Sequence, residues 1–149
     1  MRTLAIDLGT RRVGLAMSDE GGRFATPLDV LNITSPDQAI SAIVELVRIE
    51  GVDRIVVGLP LNMDDSIGPA ARNTVAWGRA LAKQTGKPVI YLDERLSSFE
   101  AEQSLIDRKR GGETITRKGK KQMLDALAAA SILQAFLDDR LSPIDVSSL

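Results

Sequence analysis

Cysteine and histidine are both missing from the 149 residues, and the two absences close off a large part of enzyme chemistry. Disulfides, cysteine nucleophiles, zinc sites of the Cys/His kind and any triad that needs an imidazole base are excluded. Chemistry therefore falls to carboxylates, with Lys, Arg, Ser, Thr and the single Tyr91 as helpers. The natural partner for carboxylate oxygens is a hard cation such as Mg²⁺ or Mn²⁺. Aromatics are scarce at 3%, which disfavours any binding mode built on stacked rings. Neither sign of charge is in excess, since 19 Lys and Arg face 20 Asp and Glu; total charge is silent about a polyanionic partner and distribution has to decide. No apolar run approaches membrane-spanning length, and the first residues carry no basic, apolar and small-residue sequence of a leader. The expectation is a cytoplasmic protein with no membrane partner. At 44% hydrophobic the chain suits one domain over residues 1–149, with a loose tail from about residue 141.

What is present begins with Leu4-Ala5-Ile6-Asp7-Leu8, an apolar strand with one carboxylate in it, placed where an ionised group is costly unless it is paired or metal-bound. Gly9 to Arg12 turn, and Val13 to Ser18 return as the second strand of a hairpin. A third extended segment runs from Phe24 to Ile33, and Pro27 assigns it to a sheet edge. Ser35-Pro36-Asp37-Gln38 predicts a helix start with Ser35 as N-cap, Pro36 at the first position and Gln38 closing a capping box; Gly51 ends that helix. Arg54 to Pro60 is continuously apolar, as a parallel strand buried on both faces is. Pro69 to Gly86 predicts a second helix, with Trp77 in the core, and Pro88 to Leu92 a fifth strand. A helix over 97–106 and a last one over about 120–139 complete the order.

Three acids stand in positions that need explaining. Asp7 lies in the first strand, Glu94 with Asp93 beside it ends the fifth, and Asp125 sits between Leu124 and Ala126 on a face otherwise suited to packing. Each alone has a plainer reading: a hydrogen-bonded strand Asp, a solvated salt-bridge cluster, a surface helix residue. If strands one and four are neighbours, the three gather at one edge of the sheet, where like charges either protonate or recruit a cation. Small residues at Ala126 and from Ala128 to Ala130 let the last helix approach the strands closely. Basic charge is concentrated nearby: Arg11, Arg12 and Arg95 adjoin the acids, and the stretch 108–121, which includes Lys118, Lys120 and Lys121, holds seven basic residues against one acid. The loop 62–68 is either a phosphate cradle using Asn62 and Ser66 ahead of a helix N-terminus or an ordinary strand-to-helix connection.

Four blocks, AIDLGTRRVGLA (5–16), IVVGLPLNMDDSIG (55–68), DERLSS (93–98) and KKQMLDALAAASIL (120–133), resemble the YqgF family of Holliday junction resolvases, also described as pre-16S rRNA nucleases, in the RNase H-like superfamily. The resemblance spans nearly the whole chain. It implies an α/β fold with an RNase H-like five-stranded mixed sheet, three antiparallel strands then two parallel, flanked by helices. It also implies that Asp7, Glu94 and Asp125 are the catalytic acids and metal ligands for Mg²⁺ or Mn²⁺. The Asp64-Asp65 pair departs from the family's usual Asp followed by a small residue, a matter of loop detail.

The resulting expectation is a metal-dependent endonuclease, of two-metal carboxylate mechanism, acting on structured RNA in pre-16S rRNA 5′-end processing or on branched DNA at Holliday junctions. Its expected substrate-binding residues are Arg11, Arg12, Asn62, Ser66, Arg95, Lys118, Lys120 and Lys121. A junction-cutting enzyme is expected to act as a homodimer matching a two-fold substrate. The rival expectations are a non-catalytic nucleic-acid-binding factor in ribosome maturation or transcription and, more remotely, a small actin-like nucleotide-binding module, since DLGT is also a phosphate-binding turn there.

Overall fold

The computed structural model describes residues 1–95 and 117–149, with backbone alone for 117–122. The expected helix over 97–106, the basic residues 108–116 and the side chains of Lys118, Lys120 and Lys121 lie outside the described residues. The strands β1 (Thr3–Leu8), β2 (Arg12–Ser18), β3 (Ala25–Asn32), β4 (Arg54–Leu59) and β5 (Val89–Asp93) form one sheet in the order β3-β2-β1-β4-β5. β1, β2 and β3 are antiparallel, while β1–β4 and β4–β5 are parallel. The helices are α1 (Gln38–Glu50), α2 (Pro69–Thr85) and α3 (Arg117–Leu137). The mixed sheet and the β1–β4 neighbour relation are those expected from the sequence. Pro27 sits on edge strand β3, and the ladder to β2 shifts register beside it, between Leu15 and Ala16.

Side chains of β1, β2, β4 and β5 alternate between the two faces of the sheet, as a pleated strand requires. Leu4 and Ile6 of β1, Val13 and Leu15 of β2, Ile55, Val57 and Leu59 of β4 and Tyr91 of β5 all enter one large core with Ile43 and Val47 of α1 and Val75, Trp77 and Leu81 of α2. The other face presents Ala5, Ala16, Val56 and Leu92 to Ala129, Ala130, Ile132 and Leu133 of α3. Trp77 is core, with Nε1 donating to the Pro36 carbonyl at 2.8 Å.

Two local expectations are corrected. Helix α1 begins at Gln38, because residues 35–37 form turns in which Gln38 and Ala39 donate to the carbonyls of Ser35 and Pro36. The Gln38 side chain still reaches back, but it accepts from the Thr34 N–H at 2.7 Å, so the box closes on Thr34 instead of Ser35. The tail expected to be loose is docked: Ile144 donates to the Tyr91 carbonyl at 2.8 Å, Arg79 donates to the carbonyls of Val146 and Leu149, and Ile144, Val146 and Leu149 pack on the large core. The tail thereby satisfies part of the free edge of β5.

Candidate active site

Alternation along β1 and β5 decides which acids meet. Ala5 faces α3, so Asp7, two residues on, does too; Leu92 faces α3, so Glu94 follows it and Asp93 points to the other side. Glu94 continues the β5 line, its N–H donating to the Leu59 carbonyl at 3.3 Å. Asp93 is bound by Arg95, whose Nε lies 3.0 Å from both carboxylate oxygens, and that contact holds Asp93 below the usual carboxylate range. The sequence left open which of the two neighbouring acids serves the site, and their faces separate them.

Asp7 and Glu94 are in contact, both partly buried, with the protonated Glu94 carboxyl donating to Asp7. Burial raises the Asp7 carboxyl, and the charge of Asp125 raises it further against the hydrogen bond from Glu94, which lowers it. The Glu94 carboxyl is pushed up to about 8 by burial and then by the charge on Asp7. Like charges that share a low-dielectric site push one another toward the protonated form, and here that pressure falls on Glu94.

Asp125 is brought over this pair by glycine. Gly14 pairs with Asp7 across the hairpin, and a Cβ built on it would lie 2.0 Å from the carbonyl oxygen of Asp125. The backbone of α3 therefore rests directly on that of β2 beside Asp7, an approach no other residue permits. Gly58 does the same for Glu94: a Cβ there would stand 2.9 Å from Glu94 Oε2 and 2.9 Å from Ile132 Cδ1. The partners of these two glycines, Asp125 and Glu94, lie 111 and 36 residues away, so no local pattern reveals their roles.

The three acids do not form a finished cage. Among the described residues no group of three or more acidic side chains is arranged to hold a metal ion, because Asp125 turns to Arg12, whose Nε donates to its Oδ2 at 2.5 Å. The sequence offered Asp7 no basic partner, and the structure gives one to Asp125. The donor set still suits a hard divalent cation, since Asp7 and Glu94 present oxygen donors only. Two of the three expected ligands converge, and the third stands near enough to repel Asp7 while paired elsewhere.

The expected substrate contacts divide. Arg11 is exposed in the turn before β2. Arg95 is tied to Asp93, to Asp65 and to the Asn62 carbonyl at 3.1 Å, so it braces the loop 62–68. Within that loop Asn62 donates to Ser66 Oγ at 2.9 Å, and Ser66 donates from both N–H and Oγ to Asp64. These donors serve the loop itself and leave it acidic, which favours the reading as a structured connection over a phosphate cradle.

Residues 1–139 match the family model RuvX, described as a Holliday junction resolvase. A relative from Pelotomaculum thermopropionicum, named as a candidate pre-16S rRNA nuclease, is 42% identical over 144 residues, covering 96% of this chain and 90% of its own. Another so named, from Anaeromyxobacter sp. (strain K), is 46% identical over 140 residues, covering 94% and 98%. Among solved structures, Thermus thermophilus RuvC in complex with a Holliday junction superposes with a TM-score of 0.59 at 17% identity over 97% of this chain and 99% of that one. The Fowlpox virus resolvase with Holliday junction DNA superposes with 0.58 at 10% identity over 93% and 98%. At such identities the likeness is one of fold, and it bears out the RNase H-like sheet. The family match runs through the strand that carries Asp7, the end of β5 that Glu94 follows and the helix that carries Asp125, and on it this chain belongs to the RuvX family of Holliday junction resolvases.

Proposed function

We propose that this chain is a metal-dependent nuclease that hydrolyses phosphodiester bonds in structured RNA, with the 5′-end processing of pre-16S rRNA in the cytoplasm as its task. The observation that carries the reading is the contact of the half-buried Asp7 and Glu94 carboxyls on the α3 face of the sheet, with Asp125 brought beside them by Gly14. Asp7, Glu94 and Asp125 are the residues that would hold Mg²⁺ or Mn²⁺. When bound, such an ion supplies Lewis-acid polarisation of a phosphoryl oxygen, in a two-metal arrangement if all three acids engage.

The chain's own residues do the rest. Asp7 and Glu94 supply oxygen donors; Arg11, exposed in the turn before β2, and the basic residues 117, 118, 120 and 121 at the start of α3 hold the nucleic-acid backbone by charge. Sparse aromatics favour recognition of shape and phosphate over stacked bases. RNA is preferred because two relatives named for pre-16S rRNA are 42% and 46% identical over almost the whole chain, whereas RuvC shares fold alone. The family description supports a four-way DNA junction as second substrate, for which a two-fold homodimer is the fitting assembly.

The test is cleavage of a panel of stem-loop RNA, single-stranded RNA, duplex DNA and four-way DNA junction with Mg²⁺ or Mn²⁺. Asp7→Asn is expected to lower cleavage by at least about a thousandfold while the protein stays folded by circular dichroism. Wild-type rates in that variant overturn the reading. The engagement of Asp125 by Arg12 favours one alternative, a binding factor without catalysis. That alternative requires no cleavage of any substrate by the wild type, with nucleic-acid affinity kept or raised in a variant lacking all three carboxylates.

A further inference from the structure

Among the described residues, Asp125 takes the Arg12 guanidinium as its ion-pair partner beside the Asp7–Glu94 contact. The pair has rigid backbone roots on both sides. Arg12 opens β2 directly after a tight turn in which the Gly9 N–H donates to its carbonyl at 2.9 Å, and it pairs with Asn32 of β3. Asp125 is anchored by the contact of its own carbonyl with Gly14. The two backbones are thus held at fixed separation, which keeps the side chains within reach of one another. The pair is nevertheless within reach of a ligand, the two side chains being 38% and 25% exposed.

We propose that Arg12 is a substrate-released latch: it withholds Asp125 from the metal site until a nucleic-acid phosphate draws the guanidinium away. The inference rests on the metal-site reading above and adds to it an order of assembly. An arginine fork binds a phosphate with two donors, whereas the pair with Asp125 is made by Nε. Moving Arg12 to phosphate frees one carboxylate and removes one positive charge from beside the cation. Binding of nucleic acid and of metal is therefore mutually reinforcing, and by linkage each tightens the other by the same factor. The consequence is economy of damage, since a site incomplete without its substrate does not assemble on a free protein.

The test titrates Mn²⁺ calorimetrically into the full chain, with and without a 2′-O-methyl RNA stem-loop that resists hydrolysis. In the wild type the stem-loop is expected to tighten Mn²⁺ by about tenfold or more. Arg12→Gln is expected to bind Mn²⁺ without RNA at least about fivefold more tightly than the wild type does, and to lose most of the RNA effect, while Arg23→Gln, an exposed arginine outside the site, stays within about twofold of wild type. Unchanged or weaker Mn²⁺ binding in Arg12→Gln overturns the latch, and so does an equal gain in Arg23→Gln.

A second arm works without metal and stands if Arg12→Gln fails to fold. In EDTA, Asp125→Asn is expected to raise affinity for the stem-loop by about fivefold, well above the gain from Asp7→Asn, which removes an acid but leaves the latch closed. Equal gains in the two variants overturn the proposal. Failure of the underlying reading looks different: Asp7→Asn then keeps both Mn²⁺ binding and cleavage. If Asp7→Asn loses both while Arg12→Gln leaves Mn²⁺ affinity unchanged, the metal site stands and the latch falls.

Discussion

The two faces of the sheet are built to different rules. Toward α1 and α2 the strands present Leu, Ile, Val, Met and Tyr, and the helices answer with Ile43, Val47, Trp77 and Leu81. Toward α3 the same strands set Ala5, Gly14, Ala16 and Gly58 among only two larger core residues, Val56 and Leu92, and the helix answers with Ala126, Ala129 and Ala130 beside Ile132 and Leu133. Large side chains bury more apolar area for each contact, so the first face carries most of the hydrophobic stabilisation. Small ones give up area in return for proximity: with no Cβ at Gly14 the backbones touch, and Asp125 is delivered beside Asp7. One face holds the sheet together, and the other brings carboxylates from three distant segments within range of one another.

That contrast can be broken by substitution. The largest effect is expected at Gly14→Ala, whose added carbon meets the Asp125 carbonyl oxygen at 2.0 Å with backbone on both sides and no flexible atom to yield. It is expected to cost more than about 3 kcal/mol and to abolish cleavage in whatever remains folded, read by urea denaturation and by activity below the midpoint. Ile43→Ala, on the other face, is expected to cost about 3 kcal/mol yet leave the cleavage rate of the folded fraction near wild type. Equal loss of activity in both would mean that the faces do not divide the labour.

Gly58→Ala is expected to be milder, about 1–2 kcal/mol, because its carbon meets Glu94 and Ile132 side-chain atoms near 2.9 Å, which can shift. Its signature is a weakened affinity for Mn²⁺ out of proportion to the lost stability.

The smallest effect concerns pH. Glu94 holds its proton more tightly in the folded protein than its ordinary value of 4.5 allows, up to about 8. The folded state therefore binds more protons than the unfolded one in that window, and stability falls as pH rises through it. Without divalent metal the melting temperature is expected to decline by a few degrees from pH 5 to pH 8, over and above the protein's general trend. Glu94→Gln is expected to flatten that decline, whereas Ile43→Ala leaves its slope unaltered.

How much of this was legible in the chain depends on the range of the forces involved. The strand Leu4-Ala5-Ile6-Asp7, edge Pro27 and the helix caps Gly51 and Gly86 announce themselves because each is enforced by neighbouring residues, the two glycines adopting left-handed backbone at φ 65° and 70°. The capping box failed by one residue, since Thr34 offered an N–H as good as that of Ser35 and the turn at Pro36 chose between them. The tail failed altogether, because its hold on Tyr91 and Arg79 reaches across more than fifty residues.

The sequence by itself determined that any chemistry here belongs to carboxylates, that strands and helices alternate as a mixed sheet requires, and that Asp7 stands where an isolated charge is costly. Tertiary structure decided that Glu94 and not Asp93 faces Asp7, that Gly14 and Gly58 are clearances for a helix and an acid, and that Arg12 takes Asp125. Those choices rest on which backbones meet across the sheet, and a contact between residues more than a hundred positions apart leaves no periodicity in the chain for its spacing to reveal.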